Sequence, residues 1–203
     1  MTNENTDSVN VKKNFNGKLK IGLIVDSEFG SKYIYEIAEW SQLQRNLSIS
    51  HLLIQNNNNT QQGRLGRSIN YIKKNGFLQW ASQVSFALIT RFESLLLVKS
   101  RNHKDHLKNF KLTEVVPQSI IINPIISKSG FIFKYAADDI KKVKDLEFDV
   151  LIRCGSGILL GEILKCSRFG IISFHHADNR ITRGGPAGFW EVFLKQDSTG
   201  FII

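Results

Sequence analysis

Stretches that are apolar almost throughout alternate with amphipathic stretches along most of this chain. Runs rich in Ile, Leu and Val lie at 20–25, 49–54 and 149–152. Runs of this kind, without a polar residue at every second position, are typical of parallel strands that are covered on both faces. We therefore expect these three runs to be central strands of a parallel sheet.

Amphipathic segments between these runs predict helices. Ser31 is a candidate N-cap for the first helix, and a second helix is expected over 137–146. Four apolar residues would lie on the side of the first helix that packs against the sheet: Ile34, Ile37, Ala38 and Leu43.

Further candidate strands lie at 119–126, where Pro124 indicates an interruption or a sheet edge, and at 130–135. Alternating strands and helices predict an α/β fold with a mostly parallel sheet, right-handed crossovers and helices on both faces. The first strand is not followed by G-x-G-x-x-G, so the dinucleotide fingerprint of dehydrogenases is absent.

One long apolar segment, 68–101, has the periodicity of helix and exceeds an ordinary crossover. Arg91 and Glu93 interrupt it and would be costly at the centre of a bilayer, so we expect no transmembrane segment. Packing in the core or contact between copies in a homo-oligomer is the preferred interpretation. Docking of its apolar face on another partner chain or on a membrane surface is the alternative.

The 203 residues are enough for one domain of ordinary size. Residues 1–17 are polar and lack the apolar run of a signal peptide, so we expect a disordered tail before a domain at 18–203. Two cysteines, Cys154 and Cys166, are too few for a disulfide framework or a zinc site, which favours the cytoplasm and predicts no metal.

The chain carries a net charge of +9. This charge favours an anionic partner, whether nucleic acid, nucleotide phosphate, a polyglutamate tail or a lipid headgroup. A scattered compositional bias is the alternative explanation.

Candidate chemistry is concentrated at 149–190. This segment predicts a buried strand, a turn with Gly155 and Gly157, a short helix at 158–165 and a second strand at 170–174 that runs directly into His175. Ligands of open α/β sheets bind at the carboxyl ends of the strands, so we expect a site there.

The residues after this strand form a series of motifs: His175, Arg183-Gly184, Pro186, Trp190 and Thr199-Gly200, with Gly157 in the preceding turn. In this order they resemble the formyltransferases that use 10-formyltetrahydrofolate. Members of that family have a glycine in that turn and a strand ending in Asn-x-His, then Arg-Gly, a proline, a Trp-bearing helix and Thr-Gly before a strand. The resemblance covers 149–203 in detail and the earlier residues only in the order of their elements.

The resemblance implies a Rossmann-like domain that transfers formyl to a primary amine. Members of that family act on methionyl-tRNA, glycinamide ribonucleotide or amino-sugar nucleotides. The residues at 175–180, HHADNR, differ from those of the tRNA enzymes and disfavour a nucleic acid partner, and an amino-sugar nucleotide is the favoured acceptor among the others. Formyl transfer needs a proton shuttle that works near neutral pH, which suits His175 better than its neighbour His176. Ser173 falls on the asparagine that donates to the oxyanion, and Asp178 or Asn179 are candidates to share that task.

Folate binding is implied at two places. The first is the turn formed by Arg153, Cys154, Gly155, Ser156 and Gly157, and the second is the loop at 177–184, which includes Arg183 and Gly184. Glycines in the turn would allow close approach of the backbone to the ligand. Arg153 either faces an anion at the rim of the sheet or is an ordinary surface arginine.

The resemblance also implies an aspartate that orients the histidine, and in the family this residue would follow position 203. We therefore expect the domain to be incomplete at its carboxyl end, unless Asp149 or Asp178 replaces that aspartate. Two alternative functions remain open at this point. They are hydrolysis of the formyl-folate and binding of folate or a partner without catalysis.

Overall fold

The computed structural model describes residues 17–56, 72–73, 76–97, 108–176, 189–198 and 200–202, so the predicted tail lies outside the described residues except for Gly17. Five strands in this part of the chain form an all-parallel central sheet: β1 (Leu19–Val25), β3 (Leu47–Gln55), β5 (Ser119–Ile122), β8 (Val150–Arg153) and β10 (Ile171–Ser173). Their order across the sheet is β10-β8-β1-β3-β5. The predicted α/β, Rossmann-like fold is confirmed.

In the described residues, α-helices with defined bounds are α1 (Lys32–Gln42), α2 (Phe77–Leu97), α3 (Ala137–Lys144) and α4 (Phe189–Phe193). Two of them, α1 and α3, cover opposite faces of the sheet, as its apolar strands require. Leu23 of β1 packs in one cluster with Ala38 of α1, whereas its neighbour Ile24 packs in another cluster with Val143 of α3. Successive side chains of a strand point to opposite faces, so β1 contributes to both cores.

Smaller strands lie beside the central sheet. They are β2 (Phe29–Gly30), β4 (Phe110–Lys111), β6 (Pro124–Ile126), β7 (Ile132–Tyr135), β9 (Ile158–Leu159), β11 (His175–His176) and β12 (Phe201–Ile202). β6 pairs with β7 in antiparallel orientation, and β7 also pairs with β9 in parallel orientation. β2 pairs with β4, and β11 pairs with β12, both antiparallel. β5 ends before Pro124, as the position of this proline led us to predict, and β5 is also an edge strand of the central sheet.

The long apolar segment contains α2, which begins just after Gly76. No side chain of α2 whose exposure is described is buried, and most are exposed. The prediction that this segment packs in the core is therefore wrong for the described residues. Among those residues, no helix is both long enough and apolar enough to cross a membrane.

Two local predictions are also wrong. The helix expected at 158–165 is instead the strand β9 followed by a 3-10 helix, Glu162–Lys165, because Ile158 pairs with Ile132 of β7. Leu43, predicted on the buried side of α1, is 79% exposed because the helix ends at Gln42. Ser31 occupies the N-cap position without a capping hydrogen bond from its side chain.

Candidate functional site

The order of the strands creates a switch point between β1 and β8. β3 and then β5 lie on one side of β1, whereas β8 and then β10, which come later in the chain, lie on its other side. Crossovers on either side of such a point leave a crevice at the carboxyl ends of the two strands, which is where open α/β sheets bind ligands. The segments that meet here begin at Asp26, after β1, and at Cys154, after β8.

A polar cluster joins these two segments. The Asp26 carboxylate accepts hydrogen bonds from the Ser156 backbone N–H, at 3.0 and 2.9 Å to its two oxygens, and from the Ser156 hydroxyl at 2.5 Å. It also accepts from Gln55 Nε2 at 2.9 Å. The carboxylate therefore ties the turn after β8 to the ends of β1 and β3.

Gln55 lies at the centre of this cluster and is only 1% exposed. Its Nε2 also lies 3.3 Å from the Ser156 carbonyl, and its Oε1 accepts from the Tyr135 hydroxyl at 2.5 Å. Burial, with a smaller contribution from the Asp26 charge, raises the pKa of Tyr135, so the phenol stays protonated and remains a donor. Because both the nitrogen and the oxygen of this buried amide form hydrogen bonds, Gln55 holds the turn in a fixed position.

Two glycines in the turn are required by contacts inside the protein. A Cβ atom on Gly155 would lie 2.5 Å from Gln55 Nε2, and one on Gly157 would lie 2.5 Å from the ring of Phe133. Gly157 also has a φ of +80°, which residues with a side chain rarely adopt. The turn thus needs glycine in order to pack on its own sheet, whether or not a ligand approaches it.

Arg153 is the last residue of β8 and braces two neighbouring segments. Its Nη1 donates to the Ser173 hydroxyl at 2.9 Å, and its Nη2 donates to the Gly157 carbonyl. Its Nε is buried and has no acceptor among the described residues. Arg153 is therefore half-buried and bonded within the protein, so it is not an ordinary surface arginine.

Ser173 ends β10 next to Arg153. Because its oxygen accepts from a guanidinium, its own proton remains for a second partner, and no described residue accepts it. The cation also favours negative charge that develops beside this hydroxyl. Ser173 and Arg153 together thus form a charge-assisted donor at the carboxyl edge of the sheet.

Cys154 is a packed residue and not a reactive one. Its side chain packs against the cluster shared by β1 and α1, and its N–H donates to the Ile24 carbonyl at 2.8 Å. Burial raises the pKa of its thiol to about 11, although the positive charge of Arg153 opposes this shift. The thiol is therefore protonated at neutral pH and is a poor nucleophile.

A cleft of about 410 Å³ opens beside this arrangement. Its lining consists of Tyr33, Ile34, Ile37, Arg153, Cys154, Gly155 and Phe174. The first turns of α1 form an apolar wall, while the segments that end β8 and β10 contribute Arg153 to Gly155 and Phe174. The volume falls within the range of small-molecule sites, and a mostly apolar lining with a few polar groups is typical of them.

His175 lies two residues after Ser173, where the chain leaves the central sheet. It begins β11, is exposed, and pairs in register with Ile202 of β12. Its neighbour Phe174 contributes to the described lining of the cleft, and His175 does not. The structure thus brings Arg153, Ser173 and the turn 154–157 together and places His175 at the adjoining edge, next in the chain to a lining residue.

The remaining candidates divide into two groups. Asp178, Asn179, Arg183 and Gly184 lie outside the described residues, as does the side chain of His176. Asp149 lies at the amino end of β8, where its carboxylate accepts from the Lys20 N–H at 2.8 Å and lies 3.8 Å from Arg168. It is therefore at the wrong edge of the sheet to orient His175.

Gln55 and Tyr135 belong to the site, although no motif in the sequence predicted them. A signal for Gln55 existed, since it is a polar residue that directly follows the apolar run ending the second strand. Nothing in the sequence pairs it with Tyr135, because that contact spans 80 residues. Among the described residues, no three His, Cys, Asp or Glu side chains are grouped so that they could hold a metal ion.

Comparisons with known proteins add no family to these observations. No family model matches the chain, and no curated protein matches it.

Proposed function

We propose that this chain is a cytoplasmic enzyme that transfers a formyl group from 10-formyltetrahydrofolate to a primary amine. The observation that carries the proposal is the hydrogen bond from Arg153 to Ser173 at the carboxyl edge of the sheet, where Arg153 also contributes to the lining of the cleft. Formyl transfer develops an oxyanion on the formyl oxygen, and a hydroxyl polarised by a guanidinium is a suitable donor to it. This pair would do the work that the asparagine does in the family that the sequence resembles.

The reaction forms one bond and breaks another. The amine nitrogen attacks the formyl carbon, the tetrahedral intermediate collapses, and the bond from that carbon to N10 of the folate breaks. The amine loses a proton and N10 gains one. An imidazole is suited to carrying that proton near neutral pH, and His175 follows the end of β10 at this edge of the sheet.

The cleft also suits the donor. A pterin ring is flat and partly apolar, with amide-like groups on its edge. Tyr33, Ile34 and Phe174 offer an apolar surface, and the backbone at Cys154 and Gly155 offers groups for the edge. Because Asp26 and Gln55 hold this turn in place, the backbone groups that remain at the cleft are preorganised.

The proposed acceptor is an amino-sugar nucleotide, one of the acceptors of the family that the sequence resembles, because the residues at 175–180 disfavour the tRNA acceptor. The experiment therefore uses a panel of acceptors. Purified protein would be mixed with 10-formyltetrahydrofolate and each amine in turn, and the N-formyl product and tetrahydrofolate would both be quantified by mass spectrometry. We expect formylation of one acceptor class, with tetrahydrofolate released in equal amount.

Two substitutions assign the roles. His175→Ala should remove transfer, and Ser173→Ala should lower kcat by about 100- to 1000-fold, as expected for loss of one oxyanion donor. The matched control is His51→Gln, because His51 lies four residues before the carboxyl end of β3, away from the rim. This control should keep its activity.

Three results would contradict the proposal. Full activity in His175→Ala would show that His175 is not the proton shuttle. Release of formate without any amine would indicate hydrolysis of the formyl-folate. Binding of folate by calorimetry without turnover on any acceptor would indicate a domain that binds and does not catalyse.

A further inference from the structure

A second groove lies beside α3. It has a volume of about 650 Å³ and is bounded by α3, by the end of β7 and by the segment that follows β9. None of its described lining residues belongs to the described lining of the cleft beside Arg153. Its volume falls within the range of small-molecule sites. The groove is therefore a separate candidate for binding.

The helix α3 sets the length of this groove. Ala137, Ile140 and Lys144 lie on one side of the helix and line the groove. At a rise of about 1.5 Å per residue, this side extends for about 10 Å. Lys144 also lies 3.5 Å from Glu162 on the other wall, so an ion pair joins the two walls at this end. These dimensions suit an elongated small molecule.

Much of the lining is apolar and held in place. Ile140 is only 7% exposed and packs in the core with Val143. Leu160 follows β9 and is 43% exposed. Tyr135, whose hydroxyl donates to Gln55, is a fixed part of the wall. The groove thus offers a preformed apolar surface, as small-molecule sites usually do.

The charged residues of the groove leave one positive charge without a partner. Lys141 and Asp145 are 2.6 Å apart, and Lys144 pairs with Glu162. Lys134 of β7 is exposed and forms no ion pair with any described residue. An unpaired ammonium group attracts a negative ligand and repels a positive one. The groove therefore favours anions.

This unpaired cation lies next to the apolar surface. The Leu160 N–H donates to the Phe133 carbonyl at 2.9 Å, which continues the pairing of β9 with β7. Leu160 is thereby placed beside Lys134, the residue that follows Phe133. A single small ligand would contact both side chains.

We propose that this groove binds a small organic anion that has an apolar body about 10 Å long. The negative group would pair with Lys134, and the apolar body would cover Ile140 and Leu160. This inference is independent of the proposed enzymatic activity, because formyl transfer as proposed uses neither Lys134 nor Leu160.

Calorimetric titration with three probes of equal chain length tests the proposal. Octanoate and octyl phosphate carry a negative head group, whereas octylamine carries a positive one. Each probe would be added to the full chain below the concentration at which it forms micelles. We expect at least one anion to bind about tenfold or more tightly than octylamine. The tighter of the two anions identifies the head group.

Two matched pairs of variants locate the bound anion. Lys134→Gln should weaken its binding by about fivefold or more, because the pairing charge is lost. Leu160→Gln should weaken it by about the same factor, because apolar contact is lost. The controls Lys128→Gln and Ile158→Gln make the same changes at exposed residues outside the described lining, and they should leave the affinity unchanged. All four positions are exposed, so the fold should tolerate these variants, which circular dichroism would verify.

Four outcomes would overturn the inference. The first two are no binding of either anion and binding of octylamine that is as tight as that of the anions. The third is an equal loss of affinity in Lys134→Gln and in its control, Lys128→Gln. The fourth is full affinity in both Lys134→Gln and Leu160→Gln, which would place the bound anion elsewhere on the chain.

Discussion

The strand β3 and the helix α2 are both rich in leucine and isoleucine, yet they differ completely in burial. Leu52 and Leu53 of β3 are fully buried, whereas Leu88 and Leu96 of α2 are each 63% exposed. β3 lies between β1 and β5 and is covered on both faces. In the described chain, α2 has no comparable cover.

The difference shows that apolar content measures how much surface a segment offers, not where that surface is buried. Removing apolar surface from water stabilises the fold only where neighbouring elements cover it. Side chains of the same type should therefore contribute very differently to stability in these two regions.

The most direct test substitutes one leucine in each region. Leu53→Ala should lower the free energy of unfolding by about 2–5 kcal/mol, because it leaves a cavity among packed residues. Leu88→Ala is the matched control and should change the free energy by less than about 0.5 kcal/mol. Urea denaturation of both proteins measures these values. Equal losses would show that α2 is packed against the rest of the chain, and the contrast between the two regions would disappear.

The same contrast applies to glycine. Gly157 and Gly130 have nearly equal positive φ values, +80° and +81°, but only at Gly157 would an added Cβ atom have a neighbour within 4 Å, the ring of Phe133. Both alanine variants carry the cost of a left-handed residue. Gly157→Ala should cost about 1–3 kcal/mol more, since the ring must move.

Thermal unfolding of the two glycine variants would check this difference. The Gly130→Ala protein serves as the control for backbone strain alone. If both variants lost the same stability, the contact of Gly157 with Phe133 would not constrain the turn.

The smallest expected effect concerns His51, in the middle of β3. Burial, with a smaller contribution from the Lys20 charge, lowers the pKa of His51 below its ordinary value of 6.5. Below about pH 6.5 the unfolded chain therefore binds a proton that the folded chain does not, so stability falls as the pH is lowered through this interval. His51→Gln should flatten the dependence of unfolding free energy on pH between about 5 and 7.5.

Urea titrations of the wild-type and His51→Gln proteins across this interval give the comparison. Other groups titrate equally in both proteins, so the difference between the two curves isolates His51. A constant difference at every pH would contradict the lowered pKa.

Local pattern is sufficient for the central strands and for two helices. The apolar runs at 20–25 and 49–54 form β1 and β3, and Ile140 with Val143 forms the buried side of α3. These features depend on neighbours in the chain and on a strong period of hydrophobicity. The parallel orientation of the central strands also follows from the pattern, because strands that alternate with helices are joined by crossovers.

The candidate site is predictable only in part. The motif indicates Arg153, Ser173 and the turn at 154–157, and the structure brings them together at the carboxyl edge. No motif indicates the cluster of Asp26, Gln55 and Tyr135. Its members come from distant parts of the chain, and no short pattern encodes a hydrogen bond between residues that far apart.

From its order of residues alone, this protein is committed to an α/β core, because each strand and helix carries its own period of apolar side chains. Which glycines are indispensable, which arginine braces neighbouring segments and which apolar helix the described residues leave exposed depend on contacts between segments far apart in the chain. Such contacts exist only after the strands have paired, so they are properties of the packed fold.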